Sequence, residues 1–87
     1  MEDEFEAGRV VISKAGRDKG RALVIVGVSG GRALVCDGRE RPLSRPKSKN
    51  PVHLCLTDEY LTDKDLAGNR ALRKALRQYK EGDEEDV

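Results

Sequence analysis

The segment RALVIVGVSGGRALVCDG, residues 21–38, sets the strongest limit on what this chain can fold into. Two apolar, β-branched runs flank Gly30-Gly31, and a type I′ hairpin turn needs φ > 0 at both central positions, which glycine supplies without strain. The runs are expected to be antiparallel strands, with Gly27 a bend or bulge in the first. The same rhythm recurs on either side. RVVISK predicts a strand over residues 9–14, and Asp37-Gly38 predicts a second tight turn with a short return over residues 40–43. SRPKSKNP, with two prolines and three cations, reads as a loop, and VHLCL after it reads as a short last strand.

Beyond residue 57 the period changes. Leu72, Ala75, Leu76 and Tyr79 recur at helical spacing, with Arg70, Arg73, Lys74 and Arg77 on the opposite face. A helix is expected over residues 70–80, capped by Asn69, stopped at Gly82 and laid by its apolar stripe on the sheet. Thr62 is expected to cap one separate turn over TDKD. The basic face of the helix reads as a solvated surface, because cations near a helix C-terminus are favoured by its dipole.

The fold class predicted is mainly β: a small SH3-like five-stranded barrel followed by a C-terminal amphipathic helix, with an open meander sheet as the structural alternative. RALVIV, apolar on both faces, favours closure. The chain of 87 residues has room for one core only. It divides into an acidic flexible lead over 1–7, the barrel over 8–57, the helical segment over 58–80 and an acidic disordered tail over 81–87.

Charge is strongly segregated behind a net charge of +1. Residues 9–53 carry eleven cations and three acids, whereas 1–7 and 81–87 carry acids alone. A basic body between acidic ends is the layout of a protein that meets a polyanion.

The stretch SKAGRDKGRALVIV, residues 13–26, is the sharpest candidate site. It is not a phosphate-binding loop of the nucleotide type, which needs four residues between its glycines, then Lys and a hydroxyl residue, and a helix after it. Here three residues separate Gly16 from Gly20, Arg21 follows, and a strand comes next. Read as a turn between strands, it frees the backbone at Gly16 and Gly20. Arg17, Lys19 and Arg21 stand at alternate positions beside Lys14, and in an extended chain the three would face one way. Such a row suits phosphate oxygens, with Asp18 as the turn-former. Arg39, Arg41, Arg45, Lys47 and Lys49 form a second cluster of five cations against one acid, which repel one another unless a polyanion is near.

These residues resemble the KOW motif, in which a Val-rich strand leads through a glycine turn into an apolar strand. Here the order is VVI at 10–12, GRDKGR at 16–21 and ALVIV at 22–26. Past the motif, GRALVCDGRERPLSRPKSKNPVHLCLT, residues 31–57, is similar to part of the L-fourteen-e-like ribosomal proteins of the large subunit of eukaryotes and archaea, and over roughly residues 6–80 the chain looks closer still to their short bacterial KOW-domain relatives. The resemblance implies an SH3-like barrel that binds structured RNA, ribosomal RNA first, with the glycine turn among the contacting parts. NusG-type KOW domains imply the alternative, a module that docks on the ribosome or transcription machinery through protein contacts.

Aromatic residues make up 3% of the chain, only Phe5, Tyr60 and Tyr79, too few to stack a run of single-stranded bases. Backbone and shape recognition of folded or double-stranded RNA is expected instead. Cys36, His53 and Cys55 lack the spacing of a zinc site and read as two core cysteines and a strand histidine near the basic loop. With one histidine and most acids at the chain ends, no catalytic site, metal or cofactor is expected. Nothing approaches the roughly 20 apolar residues of a membrane span. Two cysteines without a signal-like start point to a reduced, cytoplasmic monomer.

Overall fold

The computed structural model describes residues 5–79; the acidic stretch before Phe5 and the acidic tail over 81–87 lie outside the described residues. Among these residues the fold is mainly β, with five antiparallel strands in one sheet and a single α-helix after them. The strands are β1 (Arg9–Ser13), β2 (Ala22–Ser29), β3 (Arg32–Cys36), β4 (Lys47–Lys49) and β5 (Leu54–Tyr60), in the spatial order β4-β3-β2-β1-β5. β4 and β5 are its two edges, so the sheet is not closed and is barrel-like only loosely. Helix α1 (Asn69–Leu76) continues as one 3-10 turn to Tyr79. No helix among the described residues is long and apolar enough to cross a membrane.

Local turn chemistry sets the hairpins. Gly30 and Gly31 both have positive φ, 56° and 79°, and carry β2 into β3 as a two-residue turn. The β2–β3 register slips between Ile25 and Gly27, the expected bulge.

The fourth strand lies elsewhere than expected. Residues 40–43 do not return along β3, because the Asp37 carboxylate Oδ1 accepts the backbone N–H groups of Arg39 at 2.8 Å and Arg41 at 2.9 Å. The N–H groups of Asp37 and Gly38 both donate to the Arg41 carbonyl, which closes 37–41 into a compact turn. The chain extends again only at Lys47, within the segment read as loop, and Lys47–Lys49 forms a short, charged edge strand of the kind that resists further pairing. Asn50 then caps a 3-10 turn, Pro51–His53, by accepting the Val52 N–H at 3.1 Å, so β5 begins later and runs further than expected, to Tyr60.

Apolar residues fill two layers. Val11, Leu23, Ile25, Ala33, Val35 and Leu54 pack within the curve of the sheet. Val10, Val24 and Cys36 point the other way and meet Leu72 and Leu76 of α1. β2 is thus apolar on both faces because α1 covers its second face, which accounts for the pattern that had favoured closure. Full burial of a side chain such as Leu72 stabilises by about 2 kcal/mol.

The helix start also differs. Gly68 holds the cap position with no side-chain cap, and Asn69 is the first helical residue. Its side-chain Oδ1 accepts the backbone N–H of Leu43 at 2.8 Å and so ties the helix to the β3–β4 loop. The turn before it forms as expected: the Thr62 N–H donates to Asp65 Oδ2 at 3.0 Å and the Asp65 N–H to Thr62 Oγ1 at 3.4 Å.

Candidate nucleic-acid interface

Antiparallel order brings the β1–β2 turn, the β3–β4 loop and the start of β5 to the same end of the sheet. Lys14, Gly16, Arg17, Lys19, Gly20 and Arg21 lie on the turn, Arg39, Arg41 and Arg45 on the loop, and Lys47 and Lys49 on β4. Both basic clusters read from the sequence therefore meet. Residues 14–21 and 37–49 together hold nine cations and three acids, and the way the acids are used decides what the surface presents.

The turn itself is tight rather than extended. Gly16 and Gly20 take φ of 79° and 86°, and the Lys19 N–H donates to Gly16 O at 3.2 Å while that of Arg21 donates to Asp18 O at 2.8 Å. Its base continues the β1–β2 ladder, with the Gly20 N–H donating to Ser13 O at 2.8 Å and the Ser13 N–H to Arg21 O at 3.0 Å. Arg17, Lys19 and Arg21 consequently do not form a single row. Arg17 and Lys19 occupy the exposed tip, with no partner among the described residues, whereas Arg21 turns back to Asp37 Oδ2 at 3.8 Å and Glu40 Oε1 at 3.6 Å.

Asp18 has a larger part than turn-former. Its carboxylate side chain is 3% exposed and lies 3.9 Å from Arg41 Nη2 and 3.8 Å from Lys49 Nζ. The Lys49 ammonium also donates to Ala15 O at 3.4 Å. All three acids thus join the turn to the loop, each from one segment to cations of the other. Arg21, Arg41 and Lys49 serve mainly as joints. The other six cations, Lys14, Arg17, Lys19, Arg39, Arg45 and Lys47, have no acid partner among the described residues, and all but the half-buried Lys47 are exposed. A rigid frame that holds like charges apart from its own carboxylates lowers the ordering cost of binding an anion.

His53 sits in the 3-10 turn rather than in a strand; its ring is exposed and its carbonyl accepts the Lys14 N–H at 2.7 Å. Val52 beside it is 66% exposed. Arg73, read as part of a solvated stripe, is half-buried and donates from Nη1 to Gly38 O at 2.8 Å.

The cysteines part company. Cys36 is buried against α1, its thiol donating to Pro42 O at 3.4 Å, whereas Cys55 is exposed, a departure from the expected pair of core thiols. Burial first, and the Asp37 charge second, raise the Cys36 thiol to about 11. The native protein should therefore react with one equivalent of a thiol reagent at neutral pH and with the second only on unfolding. Because Cys36 holds its proton more tightly folded than unfolded, its contribution to stability should be constant well below pH 9.0 and be lost as pH rises toward about 11. The Cys36 share is on the order of 2 kcal/mol, so a Cys36→Ser variant, whose hydroxyl does not titrate there, should show a shallower fall in stability, the remainder coming from the Tyr79 hydroxyl, which is also raised. Among the described residues no three of His, Cys, Asp or Glu lie together as a metal site would need.

No protein-family model matches the chain, and a comparison with curated proteins returns no match.

Proposed function

We propose that this end of the sheet binds the phosphate backbone of structured RNA, ribosomal RNA or a ribosomal particle being the expected source, and that the protein acts as a non-catalytic, KOW-type binding module in the cytoplasm. The observation that carries the reading is the division of charge: every carboxylate of the turn and loop braces the frame, and six cations at the same end are left without an acid partner among the described residues. The glycine turn, set between two strands of a five-stranded antiparallel sheet, supports the resemblance to KOW domains. Binding fits better than catalysis, since the one histidine is exposed and the nearby acids are occupied by cations.

If about four to six phosphates are neutralised, log affinity for a folded RNA should fall against log salt with a slope of roughly −3 to −5. Changing Arg17, Lys19 and Arg45 to Ala should make the slope shallower by about 2–3 while leaving the thermal midpoint in place. A slope near zero for the unaltered protein contradicts the proposal.

Exposed Val52, at the same end, favours protein docking as the second reading. RNase treatment of a lysate separates the two. Partners of an RNA binder are lost, and those of a protein docker are retained.

A further inference from the structure

We infer that the basic stripe of α1 belongs to the same binding surface and that the ligand it fits is double-helical RNA, with the turn and loop on one strand and the helix on the other. This inference rests on the RNA-binding reading above.

The evidence lies in how the helix is docked. Two contacts fix which flank of α1 faces the β3–β4 loop: Asn69 Oδ1 holds the Leu43 N–H at 2.8 Å, and Arg73 Nη1 donates to Gly38 O at 2.8 Å. The approach is close, since a Cβ on Gly38 would stand 2.5 Å from the Asn69 carbonyl oxygen. Successive helical residues are about 100° apart, so passing outward round the helix from Asn69 and Arg73 one meets Arg77, Arg70 and Lys74 before any other side chain. All three are exposed and have no partner among the described residues. The stripe therefore rises directly from the flank that touches the loop carrying Arg39, on the side away from the core.

At the end of the helix, in the 3-10 turn, the nearby charges are acidic. Tyr79 Oη donates to Glu59 Oε1 at 3.4 Å, and burial, Glu59 and Asp65 raise the Tyr79 hydroxyl above its ordinary value. The cationic flank of the helix is the one joined to the proposed interface through Asn69 and Arg73. Helix dipole alone accounts for cations in the last turn but not for Arg70 in the first. Three cationic elements, the turn tied to the loop by ion pairs and the loop to the helix by hydrogen bonds, suit the two backbones of an A-form duplex, which proteins read by shape and phosphate contacts. A single strand would follow one groove, with rings to stack on.

The test compares a short mixed-sequence RNA duplex with one of its strands alone, at several salt concentrations. It uses the full chain, a variant with Arg70→Gln, Lys74→Gln and Arg77→Gln, and a variant with Arg17→Ala and Lys19→Ala. Gln keeps the helix, and Arg73 stays as the tether; equal thermal midpoints confirm folding. The helix variant should lose roughly tenfold or more on the duplex, with a salt slope shallower by about 2–3, and change less than about twofold on the single strand. The turn variant should weaken on both. If the turn variant weakens while the helix variant matches the unaltered protein on duplex, or falls equally on both RNAs, RNA binding stands and the inference is overturned. Failure of the unaltered protein to bind either RNA overturns both.

Discussion

Replacing Gly38 with alanine is expected to destabilise the protein by about 3 kcal/mol or more, against about 1 kcal/mol for the same change at Gly31. The two glycines share a φ of 79°, so the backbone strain of adding a Cβ in the left-handed region is the same. Their surroundings differ. Nothing lies within 4 Å of a Cβ on Gly31, whereas one on Gly38 would meet the Asn69 carbonyl at 2.5 Å, Arg73 Cγ at 3.1 Å and the Arg73 N–H nitrogen at 3.3 Å. Two of those atoms are helix backbone and cannot step aside, so α1 must move and the Arg73 to Gly38 hydrogen bond must break. Urea unfolding of the two variants measures the difference, and equal losses would mean that the helix does not seat on the loop as described.

The second large effect is expected at Asp18. Its neutral isostere, Asp18→Asn, leaves Lys49 and Arg41 packed in place without the carboxylate they face. Breaking a buried pair by removing one partner costs about 3–5 kcal/mol; Arg41 retains 28% side-chain exposure, so water offsets part and about 2–4 kcal/mol is expected. Lys49 is only 10% exposed, and adding Lys49→Met to the Asp18 variant should recover stability, because an apolar side chain of similar reach needs no counter-charge there. A double-mutant cycle from urea midpoints gives the coupling directly. Additive losses would mean that Asp18 acts only through the turn.

What the sequence revealed about this fold was local. Gly30-Gly31 specified its hairpin because two positive φ angles are needed side by side, and Gly27 marked its bulge for want of a side chain to keep register. Leu72, Ala75 and Leu76 gave the buried stripe of α1 through helical spacing alone. The misreadings turn on side-chain partners that spacing does not reveal, one of them distant along the chain and one local. Asn69 looks like a cap, yet its amide bonds Leu43, 26 residues earlier. Residues 40–43 look like a returning strand until the Asp37 carboxylate gathers the N–H groups of Arg39 and Arg41. Cys55 was open to a better reading, since a residue between Leu54 and Leu56 in a strand points away from them.

The candidate interface divides the same way. Both basic clusters stood out in composition, but their meeting at one end follows from strand order, and the roles of individual cations follow from the acids. Asp18, alone among the cations of its turn, was the available signal: an acid there has little reason to be kept from water unless cations from elsewhere reach it. Nothing in the spacing of Arg41 and Lys49 identifies them as those cations.

The most direct test of the central claim is a backbone amide chemical-shift titration of the protein with a folded RNA. Perturbations should concentrate in residues 14–21 and 38–49, extend along 70–77 where the helix joins the surface, and fade as salt is raised, with the β2–β3 hairpin around Gly30 and the distal half of β5 silent. Perturbations centred on that hairpin or on β5, or none at RNA concentrations that saturate other basic RNA binders, would contradict that claim.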